Sequence, residues 1–426
     1  MINLISVFCV YTKLETVSEK TLIGRLRRYF LIYFETFSVP TADSLFLLIL
    51  SILALESAHS IRFLYHHFLS GITKRSLNVF YYACSYAKVD YSNFMNITAC
   101  TALKLIPDPL KSHPVFLCID DTMVSKFGKK FENVSKLFDH AAHNGSNYLN
   151  GHCFVSIMLC VPVLDHDKIS YLSVPLGYRM WQKKESKLEL AASMIHQVMP
   201  EFLSKEHVII LCDSWYTKKN LVSVIDEYPN LDLIGNARID SVMYDLAPTR
   251  TGRRGRPAKH GKRLCVETDF TFSKEKIGDY YTGVRRVLTK IFGNREVLAY
   301  VTDTEKGNGT KRLFFSTIFP EDLKVFCTEE HSSSDQTEHV PINYIPLLLY
   351  AFRWKIEISY YGQKTFWSFC DYMVRSRNGI EMLVNLINIS YCAMKILPYQ
   401  DKYFSKYHTK SVQEFRFELS QEIRKQ

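Results

Sequence analysis

Regular cysteine spacing is missing from this sequence, although it contains 11 cysteines in 426 residues. No two of them stand at CxxC spacing, and several lie inside apolar runs, as Cys118 and Cys212 do. Zinc cages and disulfide-rich secreted domains both require closely paired cysteines. The sequence therefore argues against both classes, and we expect these thiols to be small buried side chains in a reducing cytosol.

Long hydrophobic runs are missing as well. The longest apolar run covers residues 45–55, whereas a helix that spans a membrane needs ~20 apolar residues. The N-terminal segment is apolar, but it has neither the positively charged start nor the clear cleavage site of a signal peptide. We therefore expect a cytoplasmic protein with no membrane partner, in which residues 45–55 form a buried helix.

Acidic residues are the minority among the charged ones: 43 Asp and Glu stand against 53 Lys and Arg, a net charge of +10. A positive excess suits a polyanion such as nucleic acid, because neutralising phosphates supplies most non-specific affinity. Many unrelated proteins are equally basic, so the charge alone does not identify the partner. Hydrophobic residues make up 47% of the chain, which is a globular composition with room for two or three domains.

The pattern of apolar residues changes along the chain and predicts an α/β protein. Residues 1–108 have helical spacing and almost no proline, which predicts a helical domain for DNA binding or dimerisation. Residues 109–238 alternate short apolar runs with helical stretches, which predicts buried strands, the first three antiparallel. We interpret residues 239–340 as a β-rich insertion, 341–400 as helical again and 401–426 as a C-terminal tail. The predicted strands are 115–119, 153–163, 171–176, 208–212, 231–235, 264–272, 283–292, 296–302 and 312–317, and the predicted helices from residue 185 onward are 185–199, 217–226, 345–374 and 380–396.

Acidic residues follow two of the predicted buried strands. Asp120 and Asp121 come directly after strand 115–119, and Asp213 comes directly after strand 208–212. Ligands and catalytic groups collect at the carboxyl ends of strands in an α/β sheet, and paired carboxylates can hold a hard cation such as Mg²⁺. The alternative for each Asp alone is an ordinary cap or turn residue.

One predicted helix carries four polar residues on one face. Tyr350, Arg353, Glu357 and Lys364 stand at i, i+3, i+7 and i+14, which places them within an arc of roughly 60° on an α-helix. A solvated face with an Arg353–Glu357 pair is the simpler interpretation. The helix is otherwise rich in apolar and aromatic residues, however, so we expect it to be largely buried. Phosphates and a metal ion would give these four groups partners.

Tyr-x2-Arg-x3-Glu-x6-Lys resembles the signature of the DDE-type transposases of bacterial insertion sequences, and the four residues match it without a gap. The resemblance covers roughly residues 110–400. It implies a ribonuclease H-like catalytic core, formed by residues 109–238 and 341–400, with a β-rich insertion between the second Asp and the Glu. The catalytic residues and metal ligands would be Asp121, Asp213 and Glu357, with Asp120 as the alternative first ligand.

The same resemblance implies metal-dependent cleavage at transposon ends and strand transfer into target DNA. Two Mg²⁺ ions, for which Mn²⁺ can substitute, would clamp the attacking and leaving oxygens. Tyr350, Arg353 and Lys364 would grip phosphates. The partners would be double-stranded DNA, at the element ends and the target, and a second copy of the chain in the synaptic complex. A nucleoid-associated protein of the cytoplasm is therefore expected.

A basic loop lies within the predicted insertion. Residues 250–263 contain seven Lys or Arg and no acidic residue. Its arginines Arg253, Arg254 and Arg256 alternate with glycines in the manner of hooks that read the minor groove. We expect these three arginines to bind DNA; the alternative is a solvated basic loop.

Two other functions fit parts of the sequence. A DNA-binding relic without activity would keep the fold, although all three acidic residues are present. A paired-carboxylate glycoside hydrolase would leave the Tyr, Arg and Lys column and the basic loop unexplained. A zinc site at His140, His143 and His152 lacks a recognisable fourth ligand.

Overall fold

The computed structural model describes residues 20–55, 57, 60–128, 130–139, 147–165, 168–249, 258–307, 309–323 and 342–425. The chain divides into two compact units. The helical unit consists of Met1–Ile97, Lys130–Glu132 and Gln363–Gln426, and the sheet unit consists of Thr98–Lys129 and Asn133–Gly362.

The described residues contain the following helices and strands. The α-helices are α1 (Leu22–Leu31), α2 (Val39–Ala54), α3 (Ile61–Leu64), α4 (Ser70–Ile72), α5 (Leu77–Tyr86), α6 (Tyr91–Leu103), α7 (Lys187–Val198), α8 (Lys219–Ile225), α9 (Ile345–Leu349), α10 (Trp354–Phe366), α11 (Arg377–Gln400) and α12 (Val412–Arg424). The strands are β1 (Val115–Ser125), β2 (Ser135–Phe138), β3 (Tyr148–Asp165), β4 (Lys168–Met180), β5 (Val208–Cys212), β6 (Leu231–Ala237), β7 (Met243–Tyr244), β8 (Arg263–Leu264), β9 (Tyr281–Thr289), β10 (Val297–Asp303) and β11 (Lys311–Ser316).

The core of the helical unit is built on two apolar helices, α2 and α11. The run at residues 45–55 lies in α2, whose residues from Leu45 to Ala54 are all buried, so the prediction of a buried helix there is confirmed. Helix α11 is long and apolar enough to span a membrane, but 94% of its most apolar stretch is buried within the protein. That burial is typical of the core helix of a globular protein, and α11 packs against α2, α5 and α12.

A buried arginine joins the ends of helices within the helical unit. The guanidinium of Arg416, on α12, donates to the backbone carbonyls of Ile52 at 2.9 Å and Leu55 at 2.6 Å, at the end of α2. It also lies over the ring of Trp367, 4.1 Å from the ring centroid. The last carbonyls of a helix have no partners inside the helix, so Arg416 satisfies two carbonyls at the end of α2, and Arg424 donates to a third, that of Ala54.

The sheet unit contains one 11-stranded sheet among its described residues, in the order β2-β3-β1-β5-β6-β11-β10-β9-β7-β8, with β4 paired to β3. Strand β3 is antiparallel to both of its long neighbours, β1 and β4, as predicted for the first three strands. Strands β5 and β6 run parallel to β1. The fold of this unit is therefore α/β with a mixed sheet, and the strands of residues 239–340 extend the sheet beyond β6 through β11.

Several predicted boundaries were wrong because pairing, not hydrophobicity, sets where an element ends. Strand β1 continues past Ile119 to Ser125, since β3 pairs with it along that length. The predicted strand 264–272 stops at Leu264, because the Asp269 carboxylate accepts from the amide of Cys265 and closes a turn. The short polar strand β2 was not predicted at all.

The predicted helix 345–374 is also interrupted. Residues Tyr350–Arg353 form a 3-10 turn between α9 and α10, and α10 ends at Phe366. Ser376 then caps α11, accepting from the amide of Gly379. The set of polar residues Tyr350, Arg353, Glu357 and Lys364 therefore begins on a 3-10 turn, where residues three apart share a face.

Replacing Arg416 with Met keeps the apolar stem and removes the donors that serve the end of α2. We expect a loss of about 2–4 kcal/mol in the free energy of unfolding, because buried carbonyls lose charged hydrogen-bond donors. Denaturant unfolding measures it. The matched control is Arg62→Met on α3, where the side chain is exposed and the change should stay within about 0.5 kcal/mol. Equal effects of the two substitutions would contradict the role given to Arg416.

Candidate active site

The acidic residues of the sheet unit meet at the carboxyl ends of β1 and β5. These strands are parallel, and their register pairs Ile119 with Cys212. The next residues along the two strands are Asp120 and Asp213, so the two carboxylates leave the paired strands side by side. Because of this register, the acidic residues that follow the two strands lie at the same rim of the sheet.

Asp120 and Asp121 point to opposite faces of the sheet, because neighbouring side chains alternate along a strand. The Oδ2 atom of Asp120 accepts from Nη1 of Arg353, on the 3-10 turn that precedes α10, at 3.0 Å. Nη2 of the same guanidinium lies 3.5 Å from Oε1 of Glu357, one helical turn further on. Arg353 therefore bridges two carboxylates, one from the sheet and one from the helix.

Aromatic packing positions the start of α10 on this face of the sheet. The ring of Phe352 stacks on Phe116 of β1 with centroids 4.7 Å apart. The Tyr350 hydroxyl donates to the backbone carbonyl of Cys212 at 3.2 Å, at the end of β5. Tyr360 lies beside Tyr178 of β4, with ring centroids 6.1 Å apart. These contacts hold Arg353 and Glu357 over the strand ends.

Mutual repulsion and burial perturb the acids of this site. Burial raises the pKa of Asp120 well above its usual range, and the negative charges of Glu357 and Asp213 raise it further, while Arg353 lowers it. Burial also raises the pKa of Asp213, and the amides of Tyr216 and Trp215 together with Arg353 oppose that effect. Two carboxylates thus pair with one guanidinium, and the carboxylate of Asp213 acts on the same group of charges, so a further cation would relieve their repulsion.

Asp121 occupies a different environment, on the face of the sheet that α7 covers. Its carboxylate accepts from Lys187 Nζ at 2.7 Å, from the Tyr216 hydroxyl at 2.9 Å and from the Cys153 thiol at 3.1 Å. Burial alone would lower the pKa of Lys187, but the negative charge beside it raises that pKa. Asp121 is therefore already paired, and Asp120 is the carboxylate that shares a cation with Glu357.

Asp213 also acts as a turn residue, which is the alternative that the sequence analysis gives for each Asp. Its Oδ1 accepts from the backbone amides of Trp215 at 2.9 Å and Tyr216 at 3.2 Å. These bonds fix the carboxylate at the end of β5 and leave Oδ2 outside that turn. The two interpretations are compatible, because a turn that orients a carboxylate prepares it to bind a cation.

The remaining residues singled out from the sequence lie elsewhere. Lys364 is near the end of α10, in the part of that helix assigned to the helical unit. Three arginines and two histidines lie outside the described residues: Arg253, Arg254, Arg256, His140 and His143. His152 is a buried residue of β3. The described end of the basic loop is anchored where β7 pairs with β8.

The donor set has the chemistry of a magnesium site, although the side chains are arranged around Arg353. Nowhere in the described part of the chain are three His, Cys, Asp or Glu side chains grouped closely enough to hold a metal ion as they stand. Carboxylate oxygens are nevertheless the ligands that Mg²⁺ prefers. Within the described part of the chain, two buried donors near the carboxylates lack a hydrogen-bond partner: Arg353 Nε and the Tyr360 hydroxyl. Donors of this kind beside carboxylates suit an incoming phosphate oxygen.

Lys187 and Tyr216 were missed by the sequence reasoning, as was Tyr360. A weak signal existed for Lys187, because it is the first residue of α7 after a Ser186–Glu189 capping box. A cation at that end opposes the helix dipole, so a partner elsewhere is expected. Nothing in the sequence identifies Asp121 as that partner, since the contact spans 66 residues.

The raised pKa of Asp120 predicts how stability depends on pH. An unfolded Asp has a pKa of about 3.9, so the folded protein binds this proton more tightly than the unfolded chain. The free energy of unfolding should therefore fall as the pH rises from that value through the raised pKa of Asp120. In EDTA, Asp120→Asn should flatten the dependence of the melting temperature on pH. The exposed substitution Asp279→Asn is the control, and an unchanged slope in Asp120→Asn would contradict the assignment.

One family model matches the part of the chain that carries the three aspartates of this site. Residues 97–282 match the family described as DDE superfamily endonuclease. The match spans less than half of the chain, and it includes Asp120, Asp121 and Asp213 but not Glu357. Among solved structures, the chain is similar to the NurA nuclease from Sulfolobus solfataricus, at 12% identity and a TM-score of 0.22, covering 59% of this chain and 83% of that one. No curated protein matches. The family match supports a DDE-type nuclease or transposase.

Proposed function

We propose that this protein is a DNA transposase, which cuts DNA at the ends of a mobile element and joins those ends to target DNA. The observation that carries the proposal is the bridge from Arg353 to Asp120 and Glu357, with the charge of Asp213 acting on the same group. The match to the endonuclease family supports the nuclease part of the proposal. The Tyr-x2-Arg-x3-Glu-x6-Lys pattern supports the transposase part.

A ribonuclease H-like core is part of this proposal. It is supported by the order β4-β3-β1-β5-β6, in which three antiparallel strands precede two that run parallel to the first. The strands β7 to β11 fall between Asp213 and Glu357 in the sequence, as expected of a β-rich insertion. The helices α1 to α5, which form one compact unit with α11 and α12, would then bind DNA or dimerise.

Asp120, Asp213 and Glu357 would hold Mg²⁺, or Mn²⁺ in its place, with Asp120 instead of Asp121 as the first ligand. When bound, such ions supply Lewis-acid activation of phosphate and water. Asp121 would act as a positioning residue, because its bonds to Lys187 and Tyr216 fix the backbone of β1 beside Asp120.

Arg353 would have two successive roles. Without a divalent ion its guanidinium offsets the charge of Asp120 and Glu357, which would otherwise repel each other. With a divalent ion held by those carboxylates, the guanidinium would be available to a phosphate, for which its fork of donors is suited. The Tyr360 hydroxyl, buried and without an acceptor in the described structure, would donate to the same phosphate.

The DNA partner would be double-stranded at the element ends and the target. Lys364 and the basic loop 250–263 would extend phosphate contacts beyond the acidic site, and two copies of the chain would bring two ends together. A relic that binds DNA without cutting it is the second candidate, and the presence of all three acidic residues disfavours it. Nothing in the site favours a glycoside hydrolase.

A divalent-metal-dependent nicking assay on supercoiled DNA tests the enzymatic claim. We expect Asp120→Asn, Asp213→Asn and Glu357→Gln to abolish nicking, because each removes a charged ligand. Asp121→Asn should retain activity reduced by about 10–100-fold, as is usual when a group that orients a ligand is lost.

The same samples then receive a DNA end with a free 3′-hydroxyl and a plasmid target. A transposase should join the DNA end to the plasmid in a reaction that requires both Mg²⁺ and Glu357, whereas a nuclease that only cuts should form no joined product. DNA binding without nicking in the wild type would leave the relic. Loss of activity in Asp121→Asn with activity retained in Asp120→Asn would reverse the assignment of the first ligand.

Replacing Arg253, Arg254 and Arg256 with Ser should weaken duplex binding and its dependence on salt. Each phosphate contact contributes about −0.9 to the slope of log affinity against log salt concentration, so loss of three contacts should reduce the slope by roughly 2.7. Fluorescence anisotropy over a salt series measures this. An unchanged slope would show that the loop is merely solvated.

A further inference from the structure

An exposed aromatic and basic face lies on the two-stranded ribbon formed by β2 and the first residues of β3. The register of this pair places Lys136 opposite Asn150 and Phe138 opposite Tyr148. Residues directly opposite each other lie on the same face of a sheet. We call these four side chains the ribbon face: Lys136, Phe138, Tyr148 and Asn150.

The ribbon face exposes large aromatic rings to solvent. Phe138 is 44% exposed and Tyr148 is 45% exposed, and their rings meet edge to face with centroids 5.3 Å apart. The ammonium of Lys136 lies 4.3 Å from the centroid of the Tyr148 ring. The opposite face of the same strand, at Leu137, is buried. Phe138 and Tyr148 therefore keep nearly half of their surface in solvent, although the other face of the strand is buried.

The ribbon face and Asp120 lie on the same face of the sheet. Asp120 pairs with Ser156 of β3, and side chains alternate along β3, so positions 156, 154, 152, 150 and 148 share one side. The ring of Phe154 lies 6.3 Å from His152 on that side. The other side carries Cys153, which contacts Asp121. Asp120 and the ribbon face therefore lie on the same side of β3.

The separation along β3 is comparable to a short stretch of nucleic acid. Ser156 and Asn150 are six residues apart, which is about 20 Å along an antiparallel strand. A DNA strand covers the same length in about six nucleotides, at roughly 3.4 Å each. The acidic site and the ribbon face are therefore about six nucleotides apart, and a DNA strand that joins them would pass over the elements that bury Ser156, Phe154 and His152.

We propose that the ribbon face binds an unpaired stretch of the DNA strand that leaves the active site, about six nucleotides from the bond that is cut. This inference rests on the proposed nuclease function. Exposed aromatic rings favour unpaired bases, because every base offers a π-face for stacking and a closed duplex hides those faces. Lys136 supplies the charge that a phosphate backbone requires. The substrate would therefore be DNA that is opened beside the cleavage site.

The test compares binding of forked DNA, which has ten-nucleotide unpaired arms, with binding of a blunt duplex of the same length. Fluorescence anisotropy in EDTA keeps binding separate from cleavage. We expect wild-type protein to prefer the fork, and Phe138→Leu with Tyr148→Leu to weaken fork binding about tenfold, as loss of base stacking does. Binding of the blunt duplex should change less than about twofold, since no stacking is lost there.

Three controls make the result specific. Phe138→Tyr with Tyr148→Phe keeps both rings and should bind the fork like the wild type. Leu164→Ala with Ile169→Ala removes an exposed apolar pair at the far end of β3 and should change nothing. Lys136→Gln, whose side chain is exposed, should lower the salt slope for the fork by about 0.7.

Equal losses on fork and duplex, or no loss on either, would overturn the proposal. So would a wild type that binds both substrates equally. A fork preference that depends on Phe138 and Tyr148, in a protein that nicks no DNA with Mg²⁺, would count against the proposed function and not against the ribbon face.

Discussion

The bridge between Arg353 and the carboxylates of Asp120 and Glu357 is the interaction on which the site depends. It joins β1 to the 3-10 turn that precedes α10, across 233 residues of sequence. Bringing the half-exposed Glu357 beside the buried Asp120 costs stability unless a cation offsets their charge, and the guanidinium is the cation that the chain itself provides. The same excess of negative charge would favour binding of a divalent ion at the acidic site. A charge arrangement that raises the affinity for metal therefore lowers the stability of the metal-free protein.

The rest of the sheet unit serves to place these groups. The parallel register of β1 and β5 brings Asp120 beside Asp213, and the stacking of Phe352 on Phe116 sets the start of α10. The 3-10 turn keeps Tyr350 and Arg353 on one side, and the Tyr350 hydroxyl ties that turn to the end of β5. Tyr350 thus has a structural role that precedes any contact with DNA.

Local patterns predicted those parts of the fold that depend on local causes. Strand β5 has the predicted bounds, because a run of five apolar residues ended by Asp213 leaves little choice. The pairing of Arg353 with Glu357 follows from their spacing on a helix. The different partners of Asp120 and Asp121 could not be predicted, since they depend on how far β3 extends β1 and on which face α10 covers. Lys187 was missed because its partner lies on a distant strand.

We propose that Asp120, Asp213 and Glu357 together bind divalent ions. A crystal of the protein soaked in Mn²⁺, with data collected at the manganese absorption edge, shows where such ions bind. We expect an anomalous peak within coordination distance of Asp120, Asp213 and Glu357, with the Arg353 guanidinium turned away. A peak at Asp121 that displaces Lys187, or an Arg353 bridge unchanged at saturating Mn²⁺, would contradict it.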